Sequence, residues 1–169
     1  METMAFVEHA VNWVKGEIFE SWMFGLWGGL IVVMAAFFWW YRQAATARAL
    51  IVPFLVVGLF CGIIGVVNVQ RNKQRIAKVR QTSEEDPAAF VKSEKHRVDD
   101  FIKWYRPLLI GWSVLILIGL ALFNFWGGNL GRAIGLAVIL FGVTGLMVDH
   151  TSEHNALKYK AEITKALKL

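Results

Sequence analysis

Four stretches of this chain, 21–40, 49–67, 107–126 and 129–148, are each apolar over a length that can cross a lipid bilayer. A hydrocarbon core ~30 Å thick takes roughly 20 residues of helix rising ~1.5 Å each. Stretches 49–67 and 107–126 contain no Asp, Glu, Lys, Arg or His. The expected fold is therefore all-α, a polytopic membrane protein built as a four-transmembrane-helix bundle in one membrane domain. Outside the spans, residues 5–20 are expected as an interfacial amphipathic helix, 68–106 as a cytoplasmic helical hairpin and 149–169 as a cytoplasmic tail.

Composition agrees with lipid as the solvent. Of 169 residues, 56% are hydrophobic, with eight Trp and twelve Phe, more apolar surface than a soluble domain of this size can bury. Glu2, Glu8, Glu17 and Glu20 stand where a cleavable signal would be basic, so the first span is expected to be retained as an anchor. Cys61 is the sole cysteine, which excludes an intramolecular disulfide or a Cys-x-x-Cys redox pair.

Charge sets the expected orientation. Fifteen of the eighteen Lys and Arg residues fall in the N-terminal lead, the 68–106 segment and the tail, against Arg42, Arg48 and Arg132 on the other side. Positive charge is retained on the cytoplasmic face, which places both termini and the 68–106 segment there. The basic run Arg71, Lys73, Arg75, Lys78 and Arg80 is expected to meet an anionic inner leaflet, each cation near the surface contributing about 1 kcal/mol. Nucleic acid is not an expected partner, because no groove-reading element accompanies the basic run.

Along the chain, Phe6, Val7, Ala10, Val11, Trp13, Val14 and Ile18 share one face of the lead, with Glu8, Asn12, Lys15 and Glu17 opposite. Phe37 to Tyr41 form an aromatic belt closed by Arg42. Pro53 is expected in the first turn of the second span, where a missing amide costs little. Gly58, Gly62 and Gly65 in the second span, and Gly131, Gly135, Gly142 and Gly145 in the fourth, form stripes that let helix backbones approach, within the bundle or against a membrane-protein partner or second copy. A break is expected over Thr82–Pro87, with Asp86 capping the next helix and Pro87 in its first turn. Pro107 is expected to bend the chain as it enters the third span. Asn124–Asn129 reads as a tight turn on the far side.

Ionisable groups inside the bilayer would mark transport paths or proton relays. Only Ser113, Thr144 and Cys61 are polar deep within the spans, and each is expected to bond backbone or pack. The pattern most suggestive of chemistry is Asp149, His150, Glu153 and His154, neighbours three and four apart at the end of the fourth span. His150 and His154 could ligate a divalent transition metal with Glu153 or Asp149 supplying oxygen, although a solvated helix end has the same composition. No other cofactor is expected. Glu94 and Arg97 are one turn apart and could pair with each other or meet Asp149 or Glu153.

The run Pro87-Ala-Ala-Phe90-Val-Lys-Ser-Glu94-Lys-His-Arg97, followed by the third span and by Val148-Asp149-x-x-x-Glu153, resembles a group of small bacterial four-span membrane proteins without an assigned activity. The resemblance covers about residues 50–160 and implies the architecture and an inner-membrane setting. It carries no site residues.

The function expected from these features is non-enzymatic: a membrane scaffold or accessory subunit acting through helix–helix and inner-leaflet contacts. Two other classes fit the same size and span count. One is an immunity-type protein against a pore-forming toxin, and the other is a metal-binding interfacial enzyme or sensor using His150 and His154.

Overall fold

A computed structural model describes residues 2–41 and 43–167, with side chains from Phe6 onward. Arg42 and Lys168, counted above among the basic residues, lie outside the described residues. Among the described residues the chain is four α-helices with no strand: α1 (Glu2–Trp40), α2 (Ala45–Glu85), α3 (Pro87–Phe125) and α4 (Gly128–Ala166). All four are long and apolar enough to cross a membrane. At ~1.5 Å per residue each runs roughly 60 Å, about twice the hydrocarbon thickness. Half of every helix is span; the other half continues as a polar-surfaced extension.

The extension is a bundle in its own right, beyond a surface-lying hairpin. Phe6, Ala10, Val11 and Trp13 of α1, Val79 of α2, Phe90, Val98 and Tyr105 of α3, and Ala156, Tyr159 and Ile163 of α4 form one buried cluster. Both described ends of the chain therefore sit at the same end of the molecule. A second cluster, Ile31, Ala35, Leu50, Phe54, Ala133 and Ala137, fills the span half near the other end. There Thr46 Oγ1 donates to Asn129 Oδ1 at 3.3 Å, joining the two far-side turns.

Several expectations change at this level. The 5–20 stretch is helical and amphipathic, but α1 runs through Glu20 into the span without a turn. Its apolar face is covered by the other three helices rather than by lipid. Helical periodicity reports an apolar environment on one side, and a protein interior meets that condition as well as a headgroup layer does. The four-residue link after Trp40 lets α2 start at Ala45, so Pro53 lies inside the helix rather than in its first turn. α3 likewise continues through Pro107 as one helix. The break at Asp86 is as expected: its carboxylate accepts from the amides of Ala88 and Ala89 at 3.1 and 3.0 Å, with Pro87 in the first turn. The far-side turn uses Gly128 at φ +85°, a left-handed conformation that glycine adopts at no steric cost.

Close backbone approach organises the spans into two hairpins. A Cβ on Gly28 would meet the backbone of Gly58, Cys61 and Gly62, and one on Gly65 would meet Gly25 and Ser21. The contacting stripe on α2 is thus Gly58, Cys61 and Gly65. Gly62 offers only its backbone to α1, since a side chain there would point into open space. On α4, Gly135 faces Gly119 and Phe123 of α3, Gly142 faces Ile116, Gly145 lies under the Trp112 ring, and Gly131 lies against Trp126. Ser113 and Thr144 donate to the carbonyls four residues back, and Cys61 is buried, as packing roles require. The α3 span is peripheral: from Pro107 to Phe125 it buries Gly119 alone, whereas α4 buries a stripe from Gly131 to Gly145.

Candidate functional site

The extension buries charge, and that charge is shared among all four helices. The stripe Phe6, Ala10, Trp13 continues at alternating spacings of four and three into Glu17 and Glu20, so both carboxylates point toward the bundle interior. From α3, Glu94 and Arg97 enter the same space. Arg97 Nη2 lies 2.6 Å from Glu94 Oε2, and Tyr159 of α4 donates its hydroxyl to that same oxygen at 2.9 Å. The Arg97 guanidinium stacks on the Trp13 ring of α1, 3.9 Å from its centroid. From α2, Arg75 Nη1 approaches Glu17 Oε2 at 3.7 Å, longer than a hydrogen bond. One cluster thereby touches every helix.

Nearer the membrane the pattern repeats in a milder form. Asn155 Nδ2 donates to Glu20 Oε1 at 2.7 Å, Tyr105 donates to Ser152 Oγ at 3.1 Å, and Trp112 Nε1 donates to Asp149 Oδ2 at 2.5 Å. At the surface, Lys160 of α4 pairs with Asp99 of α3 at 2.6 Å.

The electrostatics follow from burial. Desolvation pushes the Glu17 carboxyl above its ordinary value of 4.5, against the pull of Arg97 and Arg75. Glu20 rises for the same reason, opposed by its bonds to Asn155 and Ser152. Burial pushes the Tyr159 phenol far up, and the Glu94 charge adds to it, so Tyr159 acts as a hydrogen-bond donor throughout the accessible pH range. A carboxyl whose pKa is higher folded than unfolded stabilises the fold while protonated. That contribution is lost as pH rises from the unfolded value through the raised folded one. Glu17→Gln is therefore expected to leave thermal stability unchanged below about pH 4 and to raise it increasingly toward neutrality. Melting curves of the detergent-solubilised protein across pH check this; a Glu17→Gln protein less stable than wild type at neutral pH would show that the charge is used.

The metal-ligand candidates separate. Asp149 faces α3 through Trp112, Glu153 is half-buried, and His150 and His154 are exposed. Among the described residues no three His, Cys, Asp or Glu side chains are grouped as a metal would need. His96 instead pairs with Asp100 at 2.8 Å and His9 approaches Glu162 at 4.0 Å, both on the surface. Of the basic run, Arg71, Lys73, Lys78 and Arg80 are exposed, while Arg75 turns inward to Glu17.

Sequence reading assigned Glu17 to the polar face and overlooked Tyr159 and Asn155. The available signal was the heptad-like spacing, which Glu17 continues and which Ser152, Ala156, Tyr159 and Ile163 also keep. Glu94 and Arg97 do pair, but their further partner is Tyr159 rather than Asp149 or Glu153.

Between α2 and α3 the extension opens into a cleft of about 570 Å³, lined by Arg71, Arg75, Lys78 and Arg97 together with Glu94 and Phe90. A second, apolar groove of about 530 Å³ runs between α1 and α4 in the span half, with Glu20 at its polar end. No family model matches this sequence, and neither a curated protein nor a solved structure matches it either.

Proposed function

We propose that this chain is a non-enzymatic scaffold or accessory subunit of a bacterial inner membrane, with both termini and the four-helix extension in the cytoplasm. The observation that carries the reading is the use of the buried charge. Glu94 and Arg97 of α3 are engaged with Tyr159 of α4 and Trp13 of α1, holding three of the helices to one another. A cluster spent on mutual pairing supports a presenting surface more than a reaction centre. The polar side chains deep within the spans, Ser113, Thr144 and Cys61, bond backbone or pack, and none is placed as a relay. The fifteen-to-three distribution of basic residues supports the orientation. Exposed Arg71, Lys73 and Lys78, just beyond the second span, suit an anionic leaflet.

Gentle extraction from native membranes, followed by lysine-reactive cross-linking and light scattering, tests the reading. The expected result is self-association or one stoichiometric membrane partner cross-linked to the extension. A protein that remains monomeric and alone, or reporter fusions placing the two termini on opposite faces, overturns it.

A further inference from the structure

The basic cleft between α2 and α3 has features that internal pairing does not explain. Its four cations, Arg71, Arg75, Lys78 and Arg97, face only two carboxylates, Glu94 within it and Glu17 behind Arg75. Two positive charges are left over in a partly desolvated space.

The donors are also incompletely used. Arg97 spends Nη2 on Glu94 and one guanidinium face on Trp13, yet its Nε is buried without a hydrogen-bond partner. Arg75 stands 3.7 Å from Glu17, too far for a hydrogen bond, and both burial and the neighbouring Arg97 charge push its own pKa down. Two guanidinium groups facing one cleft repel each other unless an anion lies between them. A guanidinium presents a planar fork of N–H donors matched to phosphate or carboxylate oxygens.

Position narrows the anion. The apolar run of α2 ends at Val67, so Arg71 lies about 6 Å beyond the hydrocarbon edge and Arg75 about 12 Å. Phospholipid headgroups occupy the first of these depths, and cytosolic phosphates reach the second. Phe90 and Val79 give the cleft an apolar wall.

We infer that the α2–α3 cleft is a binding site for a phosphate group carrying two negative charges, held between Arg75 and Arg97 with Arg71 and Lys78 at its mouth. The site does not depend on the scaffold reading, which a bound phosphate leaves untouched.

The test uses the full chain in two settings. In a zwitterionic detergent free of lipid, titration calorimetry with inorganic phosphate reads the headgroup-free source. In nanodiscs of phosphatidylcholine with and without phosphatidic acid, native mass spectrometry after extraction reads retained lipid. Binding of inorganic phosphate assigns a soluble phosphate ligand; retention of phosphatidic acid without phosphate binding assigns a lipid headgroup. Each supports the site provided that the double variant Arg75→Gln/Arg97→Gln weakens binding about tenfold or more. Because Arg97 also pairs with Glu94, the exposed pair Arg71→Gln/Lys78→Gln provides a second variant that keeps the fold, with binding expected to fall about threefold or more. Lys92→Gln/Lys158→Gln removes the same charge elsewhere and is expected to change nothing. Neither ligand bound, or binding equally weakened by the Lys92 and Lys158 changes, overturns the inference.

Discussion

Gly28→Leu is expected to cost about 3 kcal/mol or more, whereas Gly29→Leu, one residue on, is expected to change stability by no more than about 0.5 kcal/mol. The contrast rests on what each position faces. A side chain on Gly28 would drive into the backbone of Gly58, Cys61 and Gly62, and backbone cannot rotate away as a side chain can. The α1–α2 hairpin would have to separate along the span, losing contacts that lipid tails replace only in part. Gly29 meets nothing within 4 Å, and leucine there would be bathed in lipid at a gain in helix propensity. Gly65→Leu should behave as Gly28→Leu, and Gly62→Leu as Gly29→Leu. Unfolding by sodium dodecyl sulfate from mixed micelles reads all four. Equal losses at Gly28 and Gly29 would mean that the hairpin packs on another face.

The second large effect is expected in the extension. Glu94→Ala should destabilise the protein by about 3–5 kcal/mol, because the Arg97 charge then stays buried without its partner and faces Arg75. Tyr159→Phe removes one hydrogen bond to the same carboxylate and should cost about 1.5–3 kcal/mol. Removing both charges is different. Glu94→Leu/Arg97→Met replaces a desolvated pair by apolar groups of similar length and should recover most of the loss. Denaturant titration of Glu94→Leu, Arg97→Met and the double forms a thermodynamic cycle. A double variant as unstable as the sum of the singles would show that the two side chains act separately. The same substitutions bear on the cleft: Glu94→Ala removes one of its two carboxylates, so anion affinity should rise in whatever fraction stays folded.

The long-range plan of this chain was legible from its apolar runs and its breaks. Four lengths of roughly 20 apolar residues set the spans, and Asp86-Pro87 and Gly127-Gly128 set two of the turns. The interior of the extension was less legible. Glu17, Glu20 and Arg75 are ionisable, and single residues of that kind are ordinarily placed in water; only the register of Glu17 and Glu20 with Phe6 and Trp13 hinted otherwise. The α1 partners Gly25 and Gly28 were passed over for a related reason. The Gly58–Gly62 spacing on α2 matches a familiar packing motif, while the contacts run through the three-residue and four-residue steps Gly58, Cys61 and Gly65. Spacing along one helix cannot say which of its faces another helix will choose. The candidate ligands at Asp149, His150, Glu153 and His154 illustrate the same limit, since neighbours on a helix surface diverge once Asp149 engages Trp112.

Each span continues into the extension as part of the same helix, α1 across Glu20 and α3 across Pro107. A lever of that kind couples bilayer thickness to position in the aqueous phase. If the hydrocarbon layer thins and the bundle leans by about 10° to compensate, the tip of a 30 Å extension sweeps sideways by roughly 5 Å. Anything gripping that tip would register a change in the lipid beneath it as a displacement.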